Sequence, residues 1–174
     1  EGGVGFFSAL KAGLCDAYSN WCDMAMSAME LMMETIRNES RRVDAAMRSD
    51  LEEMAPVVDP LLIKVLQYCL FNGGKRIRPL LAVLAARICG RRDPAIYRLA
   101  RAFEYLHAAT LMHDDVIDNA DTRRGKPAVH IQFGIVAAIL AGDFLHARSM
   151  AIVGSQAGAE ALGVRRLGDD GDDG

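Results

Sequence analysis

The chain has 174 residues, 51% of them hydrophobic and only 6% aromatic, and a formal net charge of −3. The length suffices for one domain with a sizeable core, and an aliphatic-rich, aromatic-poor composition favours helices over a sheet sandwich, so an all-α domain is expected. The acidic balance excludes a general nucleic-acid binder, because affinity for a phosphate backbone rests on clustered Lys and Arg.

Residues 1–38 open with a glycine-rich tip, EGGVG, and run into WCDMAMSAMELMMETI, where Met24, Ala28, Leu31 and Met32 fall at helical spacing. A packing helix is expected for this Met-rich extension, since its polar face lacks the Lys and Arg of an interfacial helix. The main helical domain is expected over 39–154. Asn38 or Ser40 can cap a second helix reaching residue 54, with Val43, Met47, Leu51 and Met54 as its apolar stripe and Pro56 as its stop. A third helix is expected over 60–71, with Pro60 suited to its first turn and Asn72-Gly73-Gly74 to a left-handed ending.

The motif GGKRIRP, residues 73–79, is the first with chemistry in it. Its glycines let the backbone turn sharply and a ligand come close, while Lys75, Arg76 and Arg78 concentrate three cations. Arg78 precedes a proline and is pushed away from helical geometry; Pro79 is placed to begin the next helix. A basic loop beside a helix N-terminus favours an anionic phosphate. Taken alone, the pattern also fits a basic surface turn.

Residues 80–89 are nearly all apolar and read as a buried helix ended by Gly90, and Pro94 opens a long helix in which Ile96, Leu99, Phe103, Leu106 and Thr110 keep helical period. Its end carries HDDVIDNADTRRGKP. At about 3.6 residues per turn, Asp114 and Asp118 share a face, and His107 lies two turns earlier nearly in line. A helix C-terminus carries partial negative charge and adds to carboxylate repulsion, which a divalent cation relieves. Magnesium takes one or two carboxylates plus substrate phosphates, so Asp114 and Asp118 are the expected Mg²⁺ ligands, with Asp115, about 100° round the helix, supporting them. A solvated acidic helix end is the plain alternative for DDxxD by itself. Residues 121–127 then read as an extended basic loop whose adjacent Arg123 and Arg124 can face two phosphates, Arg being suited to bidentate contact.

From residue 128 the chain reads as helical again, with Ile131, Ile135, Ala138, Ile139 and Phe144 as core and Gly142-Asp143 as a polar interruption. Asp143 reads as a structural contact, and His113, His130 and His146 as satisfied or exposed histidines rather than ligands. Residues 155–174 read as a disordered Gly/Asp tail, where Asp169, Asp170 and Asp173 spell DDxxD in a setting too glycine-rich to hold a helical face. Cys15, Cys22, Cys69 and Cys89 form no CxxC pair and no zinc-finger spacing, so they read as small buried hydrophobes of a reducing compartment. No basic segment suited to a secretory signal opens the chain. The longest apolar run, 135–154, contains Asp143, His146 and Arg148, which a lipid-facing span tolerates poorly. A cytoplasmic protein without a transmembrane segment is expected.

In type, order and spacing, GGKRIRP, HDDVIDNADTRRGKP and the downstream AILAGD resemble the amino-terminal half of the trans-prenyl diphosphate synthases, or polyprenyl synthetases, over residues 61–148. The resemblance implies an all-α isoprenoid-synthase helical bundle, represented here by its first half. It implies head-to-tail condensation of isopentenyl diphosphate with an allylic diphosphate, with Mg²⁺ as cofactor and a homodimer in the full-length form. Carried over residue by residue, it implies a catalytic group of Asp114, Asp115, Asp118 and Arg123. Asp114 and Asp118 would bind the magnesium ions that bridge the allylic diphosphate, Asp115 would support them, and Arg123 would contact that substrate. Lys75, Arg78, His107 and Arg124 would hold the diphosphate of isopentenyl diphosphate. Small residues at Ala109 and Thr110, one turn before Asp114, imply an open tunnel and products longer than farnesyl diphosphate. Family members carry a second aspartate-rich motif on a later helix, so this chain is expected to hold half a catalytic site. Two rival readings are a fragment or partner subunit that binds diphosphates without turnover, and an HD-type metal phosphohydrolase built on the His113-Asp114 doublet.

Overall fold

A computed structural model describes the backbone of residues 2–161 and the side chains of 18–155; the side chain of Cys15 and the acids Asp169, Asp170 and Asp173 lie outside the described residues. The elements are α1 (Gly2–Met54), α2 (Pro60–Leu70), α3 (Ile77–Ile88), α4 (Ala95–Ile117), the strands β1 (Thr122–Arg123) and β2 (Lys126–Pro127), α5 (Val129–Phe133) and α6 (Ile135–Ala161). The all-α expectation holds, with one two-stranded exception.

Contacts divide the chain into two units, Glu1–Glu39 and Ser40–Gly174. In the first, Tyr18 and Trp21 stack at 6.5 Å between ring centroids. The expected packing stripe is not buried: Met24, Leu31 and Met32 are all more than half exposed. The helix break expected at Asn38 or Ser40 is also absent, because from Gly13 to Pro56 the sequence has neither glycine nor proline to stop α1.

In the second unit Val43, Met47, Leu51 and Met54 are the buried stripe of α1. They join Val65, Leu66 and Leu70 of α2, Val83 of α3, and one face each of α4 and α6. Asp59 caps α2, its carboxylate accepting from the Leu61 N–H at 2.7 Å, and Asp93 accepts from the Ala95 N–H at 2.9 Å at the start of α4. Helix α3 begins at Ile77 rather than at Pro79, so Arg78, expected outside helical geometry, lies in its first turn, where a following proline is tolerated. Only Pro79, Leu80 and Val83 are buried in it, and Ile88 is 88% exposed, so it lies on the surface of the core instead of within it.

The buried face of α4 is rotated from the expected one. Ile96, Ala100, Tyr105, Ala108, Ala109 and Met112 face inward, whereas Phe103 and Thr110 are exposed. Alanines on that face let α6 approach closely, and the buried face of α6 is likewise small: Ala138, Ala141, Leu145, Ser149 and Ile152. Ala138 is therefore core as expected, and Phe144 is half-buried, but Ile131, Ile135 and Ile139 are exposed. Helix α6 continues through Gly142-Asp143 without a break.

One polar cluster ties the bundle together. Asp50 on α1, fully buried, accepts from the Tyr105 hydroxyl at 2.9 Å and is paired with Arg101 at 2.8 Å and Arg148 at 2.6 Å. A buried carboxylate requires such partners. The stretch Ile135–Ser155 of α6 is long and apolar enough to cross a membrane by composition, and a third of it is buried; one face packs in this bundle, where Arg148 pairs with Asp50. Cys22, Cys69 and Cys89 are thiols without disulfide partners, and Cys89 is exposed rather than buried.

Candidate functional site

The loop between α2 and α3 turns on three residues with positive φ, Gly73 at 81°, Gly74 at 145° and Arg76 at 50°. A left-handed arginine costs about 1–3 kcal/mol unless its surroundings hold it, and they do. The Arg76 side chain folds inward and is 5% exposed, with Nε donating to Asp44 at 2.7 Å, Nη1 to Glu104 at 2.8 Å and Nη2 to the Leu70 carbonyl at 2.6 Å. Lys75 and Arg78 stay exposed. Together with Arg76, Glu104, His107 and Arg124 they line an open hollow of about 530 Å³.

A second, narrower cavity of about 40 Å³ shares Arg76, Glu104, His107 and Arg124 with the first, so the two hollows adjoin. Its wall on α4 is Glu104, His107, Ala108, Leu111 and Asp115, residues at successive helical turns on one face. These polar groups share the lining with Leu70, Ala108, Leu111, Met112 and Val129. Burial and the nearby Arg78, Arg124 and Arg123 push the His107 imidazole below its ordinary pKa, against an opposing pull from Glu104. Burial also pushes the Cys69 thiol in the same lining up to about 12, which keeps it un-ionised.

Residues 121–127 are a hairpin rather than an open loop. Thr122 pairs with Pro127 and Arg123 with Lys126, and the turn residues Arg124 and Gly125 have φ of 53° and 75°, the geometry of a type I′ turn. Three contacts dock it. Arg123 donates Nε and Nη2 to the buried Asp115 carboxylate at 2.6 and 2.5 Å; the Tyr68 hydroxyl donates to the Pro127 carbonyl at 2.8 Å; and Arg124 donates to the Gly73 carbonyl. Donating to the Asp115 carboxylate raises the Arg123 pKa above its ordinary value. Arg124 Nη1 lies 2.8 Å from where a Cβ on Gly74 would stand, so Gly74 keeps that approach open.

Asp114 and Asp118 are exposed at the end of α4, one turn apart, and line neither hollow. Their carboxylates have no hydrogen-bond or ion-pair partner among the described residues. Two outward carboxylates at this spacing fit the protein share of a magnesium site completed by phosphates and water. No group of three or more His, Cys, Asp or Glu able to hold a metal occurs among the described residues, so a cation here takes its remaining ligands from elsewhere. His113 is engaged instead with the Ile139 carbonyl at 3.3 Å and with Asp143 at 3.4 Å. Its ring occupies the space that a side chain at Gly142 would need.

Of the sequence-derived candidates, Lys75, Arg78, His107 and Arg124 come together in the wide hollow, and Asp115 and Arg123 in the adjoining one. Ala109 is buried in the core, Thr110 is exposed with its hydroxyl on the His107 carbonyl, and neither lines either of these two hollows. Sequence reasoning missed Glu104 and the inward role of Arg76. Glu104 lies one turn before His107 on the same face, a spacing that could have found it; nothing in GGKRIRP marks which of three cations turns inward.

The family model described as Polyprenyl synthetase matches residues 59–165. The geranylgeranyl diphosphate synthase of Methanosarcina mazei is 42% identical over 123 residues, covering 70% of this chain and 37% of that protein. Among solved structures, a geranyltransferase from Legionella pneumophila superposes with a TM-score of 0.65 at 35% identity, over 69% of this chain and 42% of that one. A polyprenyl synthase from Caulobacter crescentus, complexed with calcium and isoprenyl diphosphate, superposes with a TM-score of 0.61 at 37% identity, over 74% and 39%. The chain thus spans 37–42% of the length of these relatives. Its motifs, its helical bundle and the family match over more than half its residues agree, and the chain belongs to the polyprenyl synthetase family.

Proposed function

We propose that this chain is the diphosphate-gripping half of a prenyltransferase that joins isopentenyl diphosphate to an allylic diphosphate, making a polyprenyl diphosphate longer than farnesyl. The observation that carries the reading is the adjacency of a cation-lined hollow, with Lys75, Arg78, His107 and Arg124, to an apolar-lined cavity flanked by Asp115 and Arg123. The wide hollow suits an anionic diphosphate head, and the narrow cavity sets apolar side chains beside it.

In this reading Lys75, Arg78, His107 and Arg124 hold the isopentenyl diphosphate head, and Arg123, aimed by Asp115, contacts the allylic diphosphate. Asp114 and Asp118 would hold Mg²⁺, which when bound neutralises charge on the departing diphosphate. The C–O bond of the allylic diphosphate breaks, the alkene of isopentenyl diphosphate attacks the allylic cation, and the released diphosphate accepts the proton lost in forming the new double bond. Apolar side chains around Met112 exclude water that would otherwise capture the cation. The expected product length rests on the resemblance and on the small side chains of Ala109 and Thr110, although neither lines either of the two hollows described above. A cytoplasmic setting and a homodimer belong to the same reading, and light scattering tests the latter.

A second reading is a diphosphate-binding fragment or partner subunit that needs another chain for turnover; it keeps the cation-lined hollow of Lys75, Arg78, His107 and Arg124. Labelled isopentenyl diphosphate with an allylic primer and magnesium separates them. Incorporation into longer product supports the prenyltransferase, and substrate binding without incorporation supports the partner-dependent form. Absence of both binding and incorporation refutes the two together. Product chromatography with Ala109→Phe tests chain length, an unchanged product counting against that assignment.

A further inference from the structure

The geometry points to Arg76 as a positioning residue, whose buried guanidinium, fastened to three helices, aims Lys75 and Arg78 into one hollow; this rests on the diphosphate-binding reading above. The three acceptors come from separate places: Asp44 on α1, the Leu70 carbonyl closing α2, and Glu104 on α4. A planar guanidinium is the side chain that donates in several fixed directions at once, so an ammonium group cannot replace it. The left-handed backbone at Arg76 turns that side chain inward while Lys75 and Arg78 remain outside, lining the wide hollow. Arg76 also pairs with Glu104, which lines both hollows and would otherwise meet an incoming diphosphate as an unpaired buried carboxylate.

Positioning predicts coupling. Inorganic pyrophosphate is titrated calorimetrically into the parent chain, Arg76→Lys, Lys75→Ala/Arg78→Ala, and the triple variant. Arg76→Lys keeps the charge but not the reach, and is expected to weaken binding by about tenfold. In the background lacking Lys75 and Arg78, the same substitution should add no more than about twofold. Parent-like affinity in Arg76→Lys overturns the inference, as does an equal loss in both backgrounds, which would mark Arg76 as a general prop of the fold. Should Arg76→Lys fail to fold, Asp44→Asn removes one charged acceptor at a partly exposed site. It is expected to lose about three- to fivefold, again only where Lys75 and Arg78 are present, and an equal or absent loss overturns the inference. A parent chain that binds no pyrophosphate refutes the underlying reading and this inference with it. A parent that binds while Arg76→Lys is unchanged refutes the inference alone.

Discussion

Asp115 and Arg123 meet in a two-point contact of 2.6 and 2.5 Å that joins the end of α4 to the first strand of the hairpin. The carboxylate is 4% exposed and the guanidinium 37%. One partner is therefore committed to the interior while the other keeps access to whatever enters the cavity. A two-stranded hairpin of four paired residues has little stability alone, and this contact, with Tyr68 on Pro127 and Arg124 on Gly73, is what places it.

Asp115→Asn keeps the shape but removes the charge that Arg123 clasps. Because Arg123 can turn to water, the expected loss is about 1–2 kcal/mol, read from the urea midpoint. Trypsin should also cut after Arg124 faster than in the parent, since the hairpin opens more often.

Asp114→Asn/Asp118→Asn should separate stability from binding. Both carboxylates are exposed at a helix C-terminus, where negative charge is unfavourable, so neutralising them raises stability by about 0.3–1 kcal/mol. Magnesium-dependent pyrophosphate binding should fall together with that gain. Thermal melts and calorimetry with and without magnesium read the two effects, and a double variant that binds pyrophosphate with parental magnesium dependence removes these residues from the metal site.

His107 gives a pH signature. Its pKa lies below the ordinary 6.5 in the folded chain, so the unfolded chain takes up the proton first on acidification. Its contribution to stability is whole above 6.5 and is lost as pH falls toward the folded value. A bound diphosphate reverses the local field and favours the charged imidazole. Binding should therefore take up a proton and tighten, relative to His107→Asn, as pH falls toward the depressed value of the unliganded chain. Calorimetry in buffers of different ionisation enthalpy measures the uptake directly.

Asp50 tests the bundle and not the site. Asp50→Ala leaves Arg101 and Arg148 without their shared carboxylate and the Tyr105 hydroxyl without its acceptor, at an expected cost of about 3–5 kcal/mol. Arg148→Met, removing the partly exposed member, should cost about 1 kcal/mol. Chemical denaturation followed by circular dichroism orders the two.

How much of this was legible follows from local physics. Hydrophobic period found the α1 stripe from Val43 to Met54 because a core-facing helix must repeat its apolar side chains, and Asn72-Gly73-Gly74 marked a turn because positive φ selects glycine. Helical spacing put His107 on the face of Asp114 and Asp118, whereas it lines both hollows and they line neither; its place beside the cations came from the resemblance. The phase of α4 was misread because its inward face is largely alanine, which weighs little in a hydrophobic pattern yet permits the closest packing. The hairpin was hidden because Arg124, a basic residue at a left-handed position, looked like a phosphate contact in an open loop when Arg124-Gly125 was also an I′ turn. Ile135 and Ile139 were expected inside on hydrophobicity alone, but α6 offers its alanine face to α4 and leaves them outside.

Gly142 has a mechanical consequence for the aspartates. With the His113 ring seated where a β-carbon would be, α4 and α6 are keyed like a tooth in a notch, one residue before Asp114. A one-residue screw step of α6, about 1.5 Å along its axis and about 100° round it, would bring Ala141 or Asp143 against that ring and jam the fit, so the notch gauges how far α4 projects. The height at which Asp114 and Asp118 stand is thus set by a missing side chain on the neighbouring helix.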